Sequence, residues 1–456
     1  MTLKRFFSRS KINNFTADAV KSVNLKTLEQ DSYTNISPKI KSLLNKNLYN
    51  LEYHPLCLIK ERILKFFQKN YVNSRGNAIF SILDNLNPVV SVNQNFDSLL
   101  IPKNHPSRSK SDCYYLNKDF MLRSHMTAHQ YEFIKMGFNN FLTVGDVYRR
   151  DSIDSTHYPV FHQLDGVKLF SPLELFAEED DGIKKFEIME KEPTARTKEK
   201  QEVYTSEAIK LVEKHLKSAL ENLSKDLFGS DVKFKWVDAY FPFTHPSWEL
   251  EILLNDKWIE MLGCGIIEHK ILEKAGCSDK IGWAFGLGLE RLAMIYYSIP
   301  DIRLFWSEVP GFLNQFKNKS CYDKITFQPF SIYPSSYFDI SFWISSNEFN
   351  CNDFYELTRE VCGDIVEEVS LIDVYNCKKT NRTSYCFRIV YRSLVKTFTL
   401  PELREIHAFP CLSALPKFTT SQLDIIRNFR LSFNYRHNQN SNVLKKYYYF
   451  KSYHNG

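Results

Sequence analysis

Two stretches of this 456-residue chain carry side chains whose types and spacing could do chemistry. The first is Gly145–Gly166, GDVYRRDSIDSTHYPVFHQLDG, which gathers Arg149, Arg150, Asp151, His157, His162, Gln163 and Asp165 around one reversal of the chain. Arginine suits a phosphate best, because its planar guanidinium offers two parallel donors and stays charged. An aromatic ring beside it, here Phe161, can stack on a purine face. The same residues would equally make a surface hairpin whose charges pair with one another. The second stretch is Gly282–Tyr297, GWAFGLGLERLAMIYY. A dinucleotide-binding turn would need glycine where Arg291 stands, and an apolar parallel strand before it, which the sequence does not offer. Glycines ahead of a helix instead let a ligand approach the backbone closely. Arg291, in that helix's first turn, adds a cation where the helix N-terminus already favours an anion. The alternative is glycines that serve tight packing and an Arg291 tied up in a salt bridge.

Together with FPFTHPS at Phe241–Ser247, these segments resemble the second and third signature motifs of the class II aminoacyl-tRNA synthetases. In detail they are similar to the phenylalanyl-tRNA synthetases of the single-chain mitochondrial type. The likeness runs from about His54 to Phe316 and resumes over Pro329–Tyr391. It implies an α+β fold: an antiparallel-sheet catalytic domain followed by a C-terminal ferredoxin-like anticodon-binding domain. It also implies ATP and Mg²⁺ as cofactors, phenylalanine and tRNA(Phe) as partners, a monomer, and work in the mitochondrial matrix. By the resemblance, Arg149 binds the α-phosphate of ATP, His157 reaches the β- and γ-phosphates, and Arg291 holds the γ-phosphate from the other side. Phe161 would stack on adenine, with Asp151 near the adenine edge. The ammonium and carboxylate of phenylalanine would meet His125, Thr127, Gln130, Gln163 and Asp165. Phe241 and Phe243 would contact the substrate ring edge-to-face over a floor of Ala284 and Gly286. The acceptor would be the 2′-hydroxyl of the terminal ribose.

Elementary chemistry agrees with those roles. A carboxylate attacking a phosphate brings two anions together, so the protein must supply positive charge and alignment more than acid–base groups. Mg²⁺ carried largely by phosphates needs few protein ligands. Glu249, Glu251 and Glu260 are the acids available to it, and the sequence does not choose among them. An apolar pocket rejects an added hydroxyl by only about 10²-fold. The family's proofreading module belongs to the two-subunit enzymes, and no segment here has room for one, so some use of tyrosine without editing is expected.

The elements that must position these residues follow from periodicity. Apolar spacing predicts a helix around Leu56–Phe67 and another near Met121–Met136. Phe141–Tyr148, Val160–Phe170, Val232–Tyr240, Trp248–Leu254 and Trp258–Ile267 read as strands, and strands that follow one another without helices between them argue for an antiparallel sheet. Residues 178–207 are charge-rich and read as a solvated insertion leading into a helix through Leu220. The catalytic domain is expected over 37–309 and a linker over 310–324. A second domain over 325–436 shows strand, helix, strand, strand and helix at Phe338–Ile344, Phe354–Cys362, Val366–Val374, Tyr385–Tyr391 and Pro401–Phe409, with a last strand at Phe429–Tyr435. Arg382, Arg388, Arg392 and Phe398 are its candidates for reading single-stranded bases. Residues 410–428 and 437–456 depart from the family pattern, and Cys113 stands where the family usually has threonine.

Composition sets the outer bounds. Lys+Arg exceed Asp+Glu by 59 − 53 = 6, which permits a nucleic-acid partner without demanding one. With 36 Phe, 25 Tyr and 6 Trp the chain is not a disordered one, and no apolar run reaches the roughly 18 residues of a membrane span. Ten cysteines without a C-x-x-C pair read as reduced apolar fillers. The start, MTLKRFFSRSKINNFTA, is basic, hydroxyl-bearing and free of acids before Asp18, the composition of an organelle transit peptide over 1–36. A catalytically silent tRNA-binding paralogue is the rival reading. Such a relative would be expected to lose Arg149 and Arg291, and both are present.

Overall fold

The computed structural model describes residues 28–177, 187–254, 256–329, 333–344, 349–378 and 382–407. The transit-peptide reading over residues 1–27, the expected strand Phe429–Tyr435 and the tail 437–456 lie outside the described residues. Contacts divide the chain into two compact units, the first holding 1–150, 159–305 and 313–327, the second 151–158, 306–312 and 328–456.

The first unit is built on a seven-stranded sheet. Its strands are β1 Ser81–Leu83, β2 Asn140–Tyr148, β3 Val160–Phe170, β4 Phe234–Phe241, β5 Thr244–Leu254, β6 Lys257–Ile267 and β7 Ile281–Gly288. Their order is β1-β2-β3-β7-β6-β5-β4, parallel between β1 and β2 and antiparallel elsewhere. The middle of this sheet is buried on both faces, as β3 shows with nine of its eleven residues buried. Helix α1, Pro55–Asn70, begins where His54 accepts the Leu56 amide and Pro55 presets the first turn, and it buries Leu56, Ile59, Ile63 and Phe67. A short helix α2, Val92–Asn95, is fixed by a capping box between Ser91 and Gln94. Helix α3 spans Gln130–Lys135. Helix α4, Ser206–Phe228, runs eight residues past the expected end at Leu220, because Leu223 and Leu227 continue its buried stripe until Gly229. Helix α5, Leu289–Tyr297, follows β7 directly.

The fold differs from the sequence reading at several places. The single helix expected near Met121–Met136 is a strand at Phe120–Leu122, a 3-10 turn at Met126–His129 and only then α3. Backbone pairing of Phe120–Leu122 with Val89–Ser91 overrides the helical spacing. Gly282–Gly288, read only as the entry to a helix, is part of strand β7. The first unit begins before Ser37: the Thr34 hydroxyl donates to the Leu116 carbonyl at 2.6 Å, and Asn35 Nδ2 donates to Cys113 O at 2.8 Å. The expected linker 310–324 carries buried Phe312, Phe316 and Cys321, apolar anchors that a solvated linker would lack.

In the second unit β8 Ser336–Ile344, β9 Val366–Cys377 and β10 Arg382–Tyr391 form an antiparallel sheet ordered β8-β10-β9; helix α6, Cys351–Cys362, lies between β8 and β9 in the chain, and a further helix covers 400–407. Ile340, Phe354, Val369, Phe387, Ile389 and Leu403 make its core, and Ile153 packs with them.

Candidate functional site

Strand register brings the phenylalanine-site candidates of the first unit together. Across five strands lies a row of paired residues: Thr143 with Asp165, Asp165 with Gly286, Gly286 with Gly263, Gly263 with Glu249. Directly paired residues point to the same face, so Asp165 and Glu249 flank two positions without side chains. That space is in use. A Cβ on Gly286 would meet Asp165 Oδ1 at 2.8 Å, and one on Gly263 would meet the Phe241 ring at 2.8 Å. Phe241 and Phe243 stack with ring centroids 5.9 Å apart, and Phe243 packs against the core that holds Ala284. Ala284 lies two residues before Gly286 and so on the same face of β7. Sequence reasoning did not single out Gly263; its signal, a glycine in an otherwise apolar strand, is one for close approach.

Around the polar end, Thr127 donates to Asp165 Oδ2 at 2.7 Å, and Gln163 Oε1 accepts from the Met126 amide at 3.2 Å. Asp165 Oδ1 and Gln130 Nε2 are buried and have no hydrogen-bond partner among the described residues. Buried polar atoms are nearly always satisfied, so each marks a position that a ligand can complete. Burial lifts the Asp165 carboxyl to about 7, against the pull of the Thr127 hydroxyl and the Arg149 charge. The His125 ring lies 6.3 Å from that of Phe243, and burial first, then Arg149, push its pKa down to about 3, so it is neutral.

Arg149 leaves the end of β2. Its guanidinium sits 5.3 Å above the Phe161 ring, and its Nε donates to the Ser124 carbonyl at 2.7 Å. The motif thus delivers a cation and an aromatic face in one layer, the pair that a nucleotide needs. Arg291, at the start of α5, is exposed and forms a 2.8 Å ion pair with Glu260. Beside it Glu249 is raised above the ordinary carboxylate range by burial first, then by Glu260 and Glu251, with Arg291 opposing. Glu251 pairs with Lys235 at 2.6 Å. Two oxygen donors, Glu249 and Glu260, whose negative charge is only partly offset by Arg291, fit Mg²⁺ chemically. Among the described residues no group of three or more His, Cys, Asp or Glu side chains could hold a metal ion without such help.

Asp151 and His157, expected beside these groups, belong by contacts to the second unit. There the Asp151 carbonyl accepts from Arg359 Nη2 at 3.0 Å, and His157 Nδ1 and Asp154 Oδ2 are 2.7 Å apart. The apolar Ile153, between polar neighbours, packs into the second unit's core, a pull that motif matching does not see. His162, also in the motif, is fully buried and holds Glu290 at 2.6 Å, a structural tie between β3 and α5. Missed altogether was Arg123, whose side chain is completely buried against the Asp146 carboxylate.

In the second unit, Arg388 pairs with Asp339 at 2.8 Å and lies 4.3 Å over the Tyr337 ring. Trp343 and Tyr375 meet edge-on, 5.9 Å apart. Arg392 pairs with Glu367 at 3.0 Å, and Lys396 lies over Phe398. The side chain of Arg382 lies outside the described residues.

The profile of tRNA synthetases class II core domain (F) matches residues 40–176 and 200–316, and that of the ferredoxin-fold anticodon binding domain matches 331–418. The chain is 52% identical over 383 residues to the mitochondrial phenylalanine–tRNA ligase of Mus musculus, covering 84% of each. To the probable mitochondrial phenylalanine–tRNA ligase of Drosophila melanogaster it is 50% identical over 397 residues, covering 84% of this chain and 87% of the other. To the mitochondrial phenylalanine–tRNA ligase of Saccharomyces cerevisiae it is 34% identical over 467 residues, covering 91% of this chain and 97% of the other.

Proposed function

The chain belongs to the phenylalanine–tRNA ligases among the class II aminoacyl-tRNA synthetases, and we propose that the row Asp165–Gly286–Gly263 with Phe241, Phe243 and Ala284 is where it holds phenylalanine. It is an aminoacyl-tRNA ligase of mitochondrial translation: ATP activates phenylalanine, which is then transferred to tRNA(Phe). The observation that carries the site assignment is the pair of buried atoms unpartnered among the described residues, Asp165 Oδ1 and Gln130 Nε2, with Asp165 in the strand row where Gly286 and Gly263 leave room. An α-amino acid offers the ammonium that Asp165 lacks and the carboxylate that Gln130 can donate to. Thr127 fixes Asp165, Gln163 fixes the Met126 backbone, and neutral His125 lines the same end. Phe241 and Phe243 then face the benzyl group, where an aromatic pair adds about 0.5–1.5 kcal/mol beyond burial.

In the first step the phenylalanine carboxylate attacks the α-phosphorus of ATP, and pyrophosphate leaves. Arg149 neutralises the α-phosphate while Phe161 holds the base, and Arg291 takes the γ-phosphate once a ligand draws it from Glu260. Mg²⁺, held by the phosphates with Glu249 and Glu260, would offset the charge of the departing pyrophosphate. In the second step the 2′-hydroxyl of the terminal ribose attacks the acyl carbon and AMP leaves. For Asp151 and His157, a role toward ATP rests on their place in the motif. Exposed Tyr337 and Tyr375 and half-buried Arg388 and Trp343 alternate along their strands in the manner of a base-stacking surface, and we assign tRNA binding to them. We also propose that the enzyme works as a monomer in the matrix.

ATP–pyrophosphate exchange on the full chain tests the reading. Exchange with Phe, weak exchange with Tyr and none with Leu is expected. Arg291→Ala should lower that exchange by more than 10²-fold while stability changes by less than about 1 kcal/mol, since its ion pair is exposed. Full activity of that variant would remove Arg291 from the mechanism.

A further inference from the structure

We propose that Asn95 is a positioning residue for adenylate formation: its carboxamide clamps Ser124, and the Ser124 carbonyl in turn holds Arg149. The proposal rests on the assignment of Arg149 to ATP given above.

The geometry is a relay of three residues. Asn95 ends α2 and is completely buried. Its Oδ1 accepts from the Ser124 amide at 3.0 Å, and its Nδ2 donates to the Ser124 hydroxyl at 2.8 Å. The Ser124 carbonyl accepts from Arg149 Nε at 2.7 Å. On the side before Ser124, the Arg123 amide donates to the Pro88 carbonyl at 2.9 Å, and its Nε donates to the Asp146 carbonyl at 2.6 Å. On the side after it, the Met126 amide donates to Gln163. Ser124 sits between these anchors with Asn95 as the side chain that fixes both its amide and its hydroxyl. A guanidinium held at Nε moves with the carbonyl that holds it, so a displaced Ser124 is a displaced Arg149. His125, the next residue, would move too, which places Asn95 behind both substrates at once.

The residue type follows from the task. One side chain must accept from an amide and donate to a hydroxyl about a residue's width away, and a carboxamide does both without adding charge. Leucine has the volume and neither function. Aspartate keeps the acceptor and loses the donor. Helix α2 is short, and its Ser91–Gln94 capping box supplies the rigidity that such a clamp requires.

The test compares Asn95→Leu with Leu99→Val, a core change in the next turn whose side chain forms no hydrogen bond, in ATP–pyrophosphate exchange normalised to folded protein. Asn95→Leu should lower kcat/KM for ATP by about ten- to 10²-fold, the scale on which displaced catalytic groups act. Leu99→Val should leave it within twofold. In an Arg149→Lys background, Asn95→Leu should cost less than threefold more, because the two residues act through one bond. Ser124→Ala, which removes only the hydroxyl half, should fall between. If Asn95→Leu does not fold, Asn95→Asp is read the same way. A loss no larger than that of Leu99→Val, or a full additional loss in the Arg149→Lys background, overturns the proposal. Arg149→Ala separates the two levels: if it keeps exchange activity, the assignment of Arg149 itself fails, whereas an inactive Arg149→Ala beside an unaffected Asn95→Leu refutes only the clamp.

Discussion

Adding one methyl group at Gly286 should damage phenylalanine recognition selectively. The new Cβ would lie 2.8 Å from Asp165 Oδ1 and 3.3 Å from its Cγ. The carboxylate would have to retreat by several tenths of an ångström, and the 2.7 Å bond from Thr127 to the other oxygen resists that movement. Either the Thr127 bond breaks or the bond intended for the substrate ammonium is blocked. A hydrogen bond to a charged group contributes about 1.5–3 kcal/mol, so kcat/KM for phenylalanine should fall by about 10- to 10²-fold. KM for ATP should change by less than threefold, since Gly286 lies across the sheet from Asp165 and not beside Phe161. Steady-state pyrophosphate exchange, with each substrate varied in turn, reads both numbers. Phenylalanine parameters within twofold of the parent enzyme would show that Asp165 is not where the amino acid is held.

Two further outcomes follow from buried charges. Asp165 titrates near 7 instead of the usual 3.8, so the folded state holds the proton more tightly than the unfolded state, and stability falls as pH rises from about 4 to 7, by about 4 kcal/mol in all. Phenylalanine needs the carboxylate form, so kcat/KM for phenylalanine should rise with pH to a plateau above about 7, and Asp165→Asn should flatten that profile; a pH-independent parent enzyme would contradict it. Arg123→Met leaves the Asp146 carboxylate buried without its cation, held among the described residues only by the Tyr148 hydroxyl, and urea unfolding should report a loss of about 3–5 kcal/mol, against less than 1 if the pair contributes nothing.

Five of the seven strands of the catalytic sheet were legible because their β-type runs are long and bounded by turns, as at Val160–Phe170, whereas the three-residue Ser81–Leu83 and the glycine-rich Ile281–Gly288 were not. Gly286 and Ala284 were legible only through the resemblance; the physical reason for glycine, the Asp165 carboxylate lying across it, exists in the register between two strands and in neither strand alone. Arg123 and Asn95 were illegible for a related reason. Nothing in LRSHM or VNQNF separates a buried strut from a surface side chain, because the partners are 23 residues away in one case and 29 in the other. The segment 151–158 was read from its polar residues, whereas Ile153 decides with which unit it packs.

The two ends of the phenylalanine site are held by different physics, and that difference sets what the enzyme can discriminate. At the polar end, Asp165 Oδ1 and Gln130 Nε2 are desolvated in advance, so a ligand without the α-amino or α-carboxyl group leaves a buried group unpaired. Sites of that kind reject the wrong ligand by about 10⁴-fold or more. At the ring end, Phe241, Phe243 and Ala284 offer no donor or acceptor side chain, so a para hydroxyl is penalised only by its own desolvation, about 10²-fold. Errors should therefore concentrate on amino acids that differ at the ring. Strengthening the ring end against tyrosine requires bulk at the floor and not a new polar group, because a donor placed there would favour the hydroxyl it was meant to exclude.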